Sequence, residues 1–397
     1  MNPLSPLPAI AALALCVATG FFIVKKFPAP DIQGRLASID GLRGYLAFFV
    51  FLHHAAIWYF YLRGGEWGVP PSHLYTHFGQ SGVAFFFMIT GFLFFAKVSA
   101  SGAGEIDWLR LYVSRLLRLG PLYLVVVLVM FSLVLLMSHG NLNDTPLRLL
   151  KSVIQWLTFT VLGAPDINAF DHTRIIVAGV TWSLPYEWFF YLSLPVFAWA
   201  LKASPPRIYL ILSAVCLVAL IAWRPAFYHL IWFGGGVVAV ALVRYPIFRR
   251  FAQRPSASLL IIVCVAATVW IFPTSYAPVP VLLLCIAFSL IAGGNTVFGI
   301  LNNAVSRTLG EFAYSIYLLH GLLLFLAFGL LIGPAQAKLL SPLMHWAVVL
   351  AITPVLLLLS FASFRFIESP PMQRSRQGTE WLRKMAARLG SRWKLSR

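Results

Sequence analysis

Eleven continuous apolar runs dominate this chain, at roughly 4–24, 43–62, 80–97, 119–138, 176–201, 207–223, 227–243, 257–272, 278–293, 311–332 and 343–364. Their length restricts the fold more than any other feature. A hydrocarbon core about 30 Å thick takes about twenty helical residues to cross. In lipid, only helices and closed barrels satisfy every backbone hydrogen bond. Barrel strands alternate apolar with polar residues over about ten positions, and these runs do not alternate. With 60% hydrophobic and 11% charged residues and a mean hydropathy of +0.84, a soluble domain is excluded. The expected fold is all-α, a polytopic transmembrane helical bundle.

The charges orient the bundle. A net charge of +18 could suggest nucleic acid, but the basic residues gather in short loops and at the C-terminus, as the positive-inside rule expects. With Lys25 and Lys26 inside, the inside loops become 97–118, 202–207, 244–256 and 294–310, together with the tail. This threading requires residues 139–175 to stay outside as one long connection, with the stretch 152–162 re-entrant or interfacial. Were that stretch a full span, Arg244, Arg249, Arg250 and Arg254 would fall outside. The first run carries its lysines after the apolar stretch, the reverse of a signal peptide. It is read as an extra anchoring helix, with a targeting element as the alternative.

The tail sets Trp381, Leu382, Met385, Leu389 and Trp393 at near-helical spacing among many basic residues, the pattern of an amphipathic helix on anionic lipid. The chain therefore divides into three regions: 1–34, a transmembrane helix and linker; 35–371, the membrane domain; and 372–397, the basic cytoplasmic tail. The four cysteines (Cys16, Cys216, Cys264 and Cys285) lie in apolar runs without metal-ligand spacing and read as small buried hydrophobes.

Ionisable residues inside the runs are the candidates for chemistry, because lipid excludes them unless they are used or paired. Arg43 and His54 stand eleven residues apart, about three helical turns and a rise of roughly 16 Å on one face. They therefore link a membrane surface to the midplane. Asp40 precedes Arg43 by three residues and suits an ion pair, an N-cap or a first-turn position. Glu187 is read as the one acidic residue in mid-span, either catalytic or a protonated structural group. His320 is also mid-span, on a stripe with Tyr314 and Tyr317 that lines a cavity or packs between helices. Packed together, His54, Glu187 and His320 would form a proton-moving site. Two histidines and a carboxylate could also bind zinc, although no short-range ligand spacing supports a metal. Arg115 and Arg118, at i,i+3, could grip a phosphate bidentately or serve as ordinary positive-inside charge. Gly82, Thr90 and Gly91 allow close helix approach.

Taken together, the segments SIDGLRGYLAFFVFLHH, SGVAFFFMITGFLF, YVSRLLRLGPLY, TWSLPYEWFFYLSLP, GEFAYSIYLLH and FRFIESP resemble the acyltransferase-3 family of bacterial integral-membrane O-acyltransferases, over about residues 35–371. Thr90 departs from the serine common in that family, and the N-terminal helix is an addition. No esterase-like domain follows the core in this sequence, so the membrane part is expected to act alone. The resemblance implies a ten-span core with both ends cytoplasmic, in a bacterial inner membrane. It also implies an acyl group, usually acetyl, moved from acetyl-CoA to a hydroxyl of a carbohydrate or lipid-linked sugar such as lipopolysaccharide or exopolysaccharide. Arg43 and His54 fall on the family's arginine-ten-residues-histidine motif, and Arg115 and Arg118 on its arginine-x-x-arginine motif. Glu187 falls on its glutamate motif.

On this reading Arg43, Arg115 and Arg118 hold the CoA phosphates. His54 acts as base or nucleophile, Glu187 and Asp40 orient or balance charge, and Tyr317 or His320 stabilises the oxyanion. Membrane lipid is a partner; nucleic acid and a metal are not expected. A proton-coupled transporter or flippase for an anionic glycolipid is the competing expectation. The chain lacks the internal repeat that favours transport.

Overall fold

The computed structural model describes residues 2–31, 36–100, 106–201, 204–223 and 228–395. Its helices in chain order are α1 (Leu7–Lys26), α2 (Ala37–Gly64), α3 (His73–Ala100), α4 (Trp108–Met137), α5 (Pro146–Leu157), α6 (Ser183–Ala200), α7 (Arg207–Trp223), α8 (Tyr228–Val243) and α9 (Pro246–Ala252). After these come α10 (Pro255–Ile271), α11 (Pro278–Ala292), α12 (Ala304–Glu311), α13 (Ala313–Phe325), α14 (Pro334–Leu339), α15 (Pro342–Ser363), α16 (Ser369–Gln373) and α17 (Ser375–Leu395). The architecture is all-helical, with no strand among the described residues.

Each of the eleven apolar runs falls on one of these helices; the run at 176–201 enters α6 through short 3-10 turns. Six helices among the described residues are long and apolar enough to cross a membrane: α1, α2, α3, α4, α13 extended to Leu331, and α15 extended to Gln373. Shorter apolar helices lie within α7, α10 and α11, and α8 meets α9 at a 109° bend.

The centre of the bundle is α2, which packs against α3, α12 and α13. Nearly all of it is apolar, so it buries its whole circumference rather than one stripe. Its contact with α12 depends on glycine. A Cβ on Gly310 would overlap the Asp40 carbonyl, and one on Gly44 would overlap the Leu309–Gly310 backbone. Close helix approach of this kind is what small residues permit in membranes, and it fixes the turn that carries Asp40 and Arg43. Gly310→Val is therefore expected to lower the thermal midpoint in detergent by about 5 °C, an overpacking effect. Gly234→Ala, where a Cβ meets open space, should leave the midpoint unchanged.

Hydrogen bonds sort the helix ends into two sets. At one end Tyr75 Oη donates to the Ser5 carbonyl (2.8 Å), Trp346 Nε1 to Pro3 (3.0 Å), His77 Nε2 to Phe272 (2.7 Å) and Arg63 to Leu340 (2.5 Å). At the other, Ser38 Oγ donates to Ile291 (3.1 Å), Arg307 to Pro30 (2.5 Å), Asn295 to Ala252 (2.6 Å), and Arg383 pairs with Asp107 at 2.7 Å. The second end gathers Lys25, Lys26, Arg249, Arg250 and Arg307, the residues the charge threading puts on one side.

One detail differs from the sequence expectation. The inside loop 97–118 is much shorter, because α3 continues to Ala100 and α4 begins at Trp108, where the Asp107 side chain caps the Arg110 amide at 3.0 Å. Arg115 and Arg118 thus sit on α4 itself, at the helical i,i+3 spacing that puts them on one face. Between 139 and 175 the chain forms α5, twelve residues long and so about 18 Å, too short to cross a bilayer. It buries Ser152 and Trp156 and exposes Leu147, Leu150, Ile154 and Leu157. In the tail, α17 exposes Trp381 and Met385. Arg376 pairs with Glu380 at 3.0 Å. The side chains of Leu389, Arg392, Trp393, Lys394 and Arg397 lie outside the described residues, as does Lys202.

Candidate active site

Helices α2, α3, α4, α6 and α13 converge on a cavity of about 320 Å³, with α3 supplying mostly aromatic and aliphatic wall. Arg43 and Asp40 come from α2, Arg115 and Arg118 from α4, Glu187 and Tyr191 from α6, and Tyr314 and Tyr317 from α13. Asp40 lies in the first turn of α2, whose N-cap is Leu36, so it is a first-turn residue and not the cap. Its carboxylate stands 3.9 Å from Arg43 Nη1. Spacing on α4 sends Arg115 and Arg118 to one face, and the Tyr314 hydroxyl, donating to the Leu119 carbonyl at 2.9 Å, locks α13 beside them. Among the described residues neither Arg115 nor Arg118 forms an ion pair. Arg115 Nε is buried with no hydrogen-bond partner, and its guanidinium lies 5.0 Å above the Phe94 ring. The carboxylates of Asp40, Glu187 and Glu311 line the same cavity, and planar guanidinium forks match carboxylate and phosphate oxygens alike. Arg115 and Arg118 therefore bring planar donor groups to a cavity that holds three guanidiniums and three carboxylates.

The second polar feature is a histidine pair. His320 Nε2 lies 3.0 Å from His54 Nδ1. His320 Nδ1 lies 3.0 Å from the Ile316 carbonyl, and His54 Nδ1 is also 3.0 Å from the Val50 carbonyl. The network assigns the protons. A carbonyl only accepts, so in the neutral pair His320 carries its proton on Nδ1 and its Nε2 accepts. The donor to that Nε2 is His54 Nδ1–H. His54 Nε2 is then left with an unprotonated lone pair, the form a general base or nucleophile requires. His320, fully buried, holds the tautomer in place.

Tyr317 joins the two features. It lines the cavity, and its ring centroid is 6.1 Å from that of His320. Its hydroxyl donates to the Val180 carbonyl at 2.9 Å and meets Ser183 Oγ at 2.9 Å. As with His320 Nδ1–H, this donor is already used by backbone, so neither offers a free hydrogen to an oxyanion.

The expected residues thus fall into two groups rather than one. Arg43, Arg115, Arg118, Asp40 and Glu187 share the cavity, whereas His54 and His320 form a pair beyond Tyr317. Glu187 accepts a hydrogen bond from Tyr191 in the cavity; the imidazole beside His54 belongs to His320. Among the described residues no group of three His, Cys, Asp or Glu side chains is placed to hold a metal. His53 is structural: its Nδ1 is 2.7 Å from the Tyr75 carbonyl. A Cβ on Gly91 would overlap the Phe233 carbonyl, a close packing contact, whereas Thr90 lines the cavity.

Sequence reasoning missed Tyr191, Glu311 and Glu368. Glu187 is only half-buried, and a more deeply buried acid lies elsewhere. Glu368, 2% exposed, accepts from the Ser315 hydroxyl. It lies in a π turn, Phe364–Glu368, that continues α15. Such a turn inserts a residue and rotates the side chains beyond it around the helix axis. The available signal was the apolar Phe366-Ile367 just before it, which extends the last run.

A family model described as an acyltransferase domain matches residues 36–365. No curated protein and no solved structure matches the chain.

Proposed function

This chain belongs to the acyltransferase-3 family and is a multi-pass membrane acyltransferase, and from that premise we propose that it acetylates a carbohydrate hydroxyl using acetyl-CoA drawn from the cytoplasm of a bacterial cell. In this reading the protein lies in the inner membrane with a ten-span core, α1 as an added anchor, and α17 on the cytoplasmic surface. The observation that carries the reading is the pair Arg115 and Arg118, outside any ion pair among the described residues, in a cavity whose Tyr317 ring lies 6.1 Å from the His320 ring of the histidine pair. Arg43, Arg115 and Arg118 hold the CoA phosphates, and Glu187 and Asp40 balance part of that charge. The thioester arm runs past Phe86 and Tyr317 toward His54. There His54 Nε2 takes the proton of the acceptor hydroxyl as its oxygen attacks the thioester carbonyl. The carbon–sulfur bond breaks, and the CoA thiolate leaves and receives that proton. Acylation of His54 itself is the two-step form of the same chemistry.

The test is thiol release by purified protein in detergent, supplied with acetyl-CoA and a panel of glycans. Acceptor-dependent appearance of free CoA, with matching acetyl ester on the glycan, is the expected result. Glycan movement across proteoliposomes with no CoA released would replace this reading with transport.

A further inference from the structure

The side of His54 away from the arginine cavity carries an aromatic group with no assigned role. α2 ends at Gly64, and Gly65 takes a left-handed conformation (φ 78°) that turns the chain back. The returning loop lays the Trp67 indole nearly parallel to His54, with an interplanar angle of 18° and centroids 6.2 Å apart. Trp58 and Tyr61 brace it edge-on, with centroids at 5.6 and 5.3 Å. Trp58 shares the His54 face of α2 by its i,i+4 spacing. It is only 2% exposed, yet its Nε1–H is buried without a hydrogen-bond partner. Buried donors are nearly always satisfied, and this one is left without a partner by the protein's own atoms. Trp67 itself is only partly buried.

We propose that Trp67, Trp58 and Tyr61 form the acceptor subsite, where a pyranose ring packs its C–H face on Trp67 and presents one hydroxyl to His54. The proposal rests on the acyl-transfer reading of His54. A sugar ring has an apolar axial face and a hydroxyl rim. A rigid indole covers the face at little entropic cost and leaves the hydroxyl rim turned to the polar groups around it. Donor and acceptor then reach His54 from opposite ends of α2, so the bound CoA never blocks the sugar.

Saturation-transfer NMR on the detergent-solubilised full chain, with a panel of methyl hexopyranosides as probes, tests this without turnover. At least one glycoside should take saturation at its ring C–H protons. The signal should fall about tenfold in Trp67→Leu, which fills space without an aromatic face, and persist in Trp67→Phe. Both variants should bind acetyl-CoA as wild type does. Equal saturation in Trp67→Leu, or none from any glycoside, overturns the subsite. Glycoside binding that depends on Trp67 in a protein that never releases CoA would support the subsite and remove the reaction assigned to His54.

Discussion

Replacing His54 by alanine is expected to reduce kcat by about 10³-fold while leaving the protein folded and its affinity for acetyl-CoA unchanged. The argument is the proton assignment in the histidine pair. Two carbonyls, of Ile316 and Val50, accept from the δ nitrogens, and the only lone pair then left free on the pair is His54 Nε2. Alanine removes that lone pair without disturbing a phosphate contact three helical turns away. His320→Gln should cost less, because His320 orients the base and does not replace it. Single-turnover CoA release with equilibrium acetyl-CoA binding separates the effects. A His54→Ala enzyme within a few-fold of wild type would remove the imidazole from the chemistry.

The second large effect is expected from Arg115→Ala combined with Arg118→Ala. A hydrogen bond to a charged group is worth about 1.5–3 kcal/mol. Losing two such forks should raise the donor KM by about 10²-fold or more, with kcat changed far less. Lysine at both positions should recover only part, since an ammonium cannot present the planar fork. The decisive comparison uses acetyl-pantetheine, which lacks the nucleotide phosphates. It should be a poor donor for the wild type and no poorer for the double variant. If the arginine changes weaken acetyl-pantetheine as much as acetyl-CoA, these residues do not read phosphate.

Much of the bundle was legible because lipid removes ambiguity. An apolar run of bilayer length has one stable backbone solution, and all eleven runs fall on helices. The ends were harder. α4 starts well before its apolar run, since the basic turn carrying Arg110 and Arg115 remains helical under the Asp107 cap. In the site, single-helix geometry was readable. Arg43 faces the cavity and His54 faces His320 along one side of α2. Which helices meet was not readable. The expectation that Glu187 completes the histidine site failed to anticipate that α6 turns it toward the arginines, where Tyr191 holds it. Glu368 was hidden for a related reason, because a π turn breaks the periodicity on which face assignments rest.

What the sequence settled by itself is what each helix must bury. Hydropathy, charge asymmetry and the i,i+3 and i,i+4 rules act within a few residues of one another, so they need no knowledge of the fold. What the tertiary structure decided is which buried polar groups share a pocket. That depends on contacts between residues hundreds of positions apart, such as Gly310 against Asp40 and His320 against His54, and helix periodicity carries no information at that range.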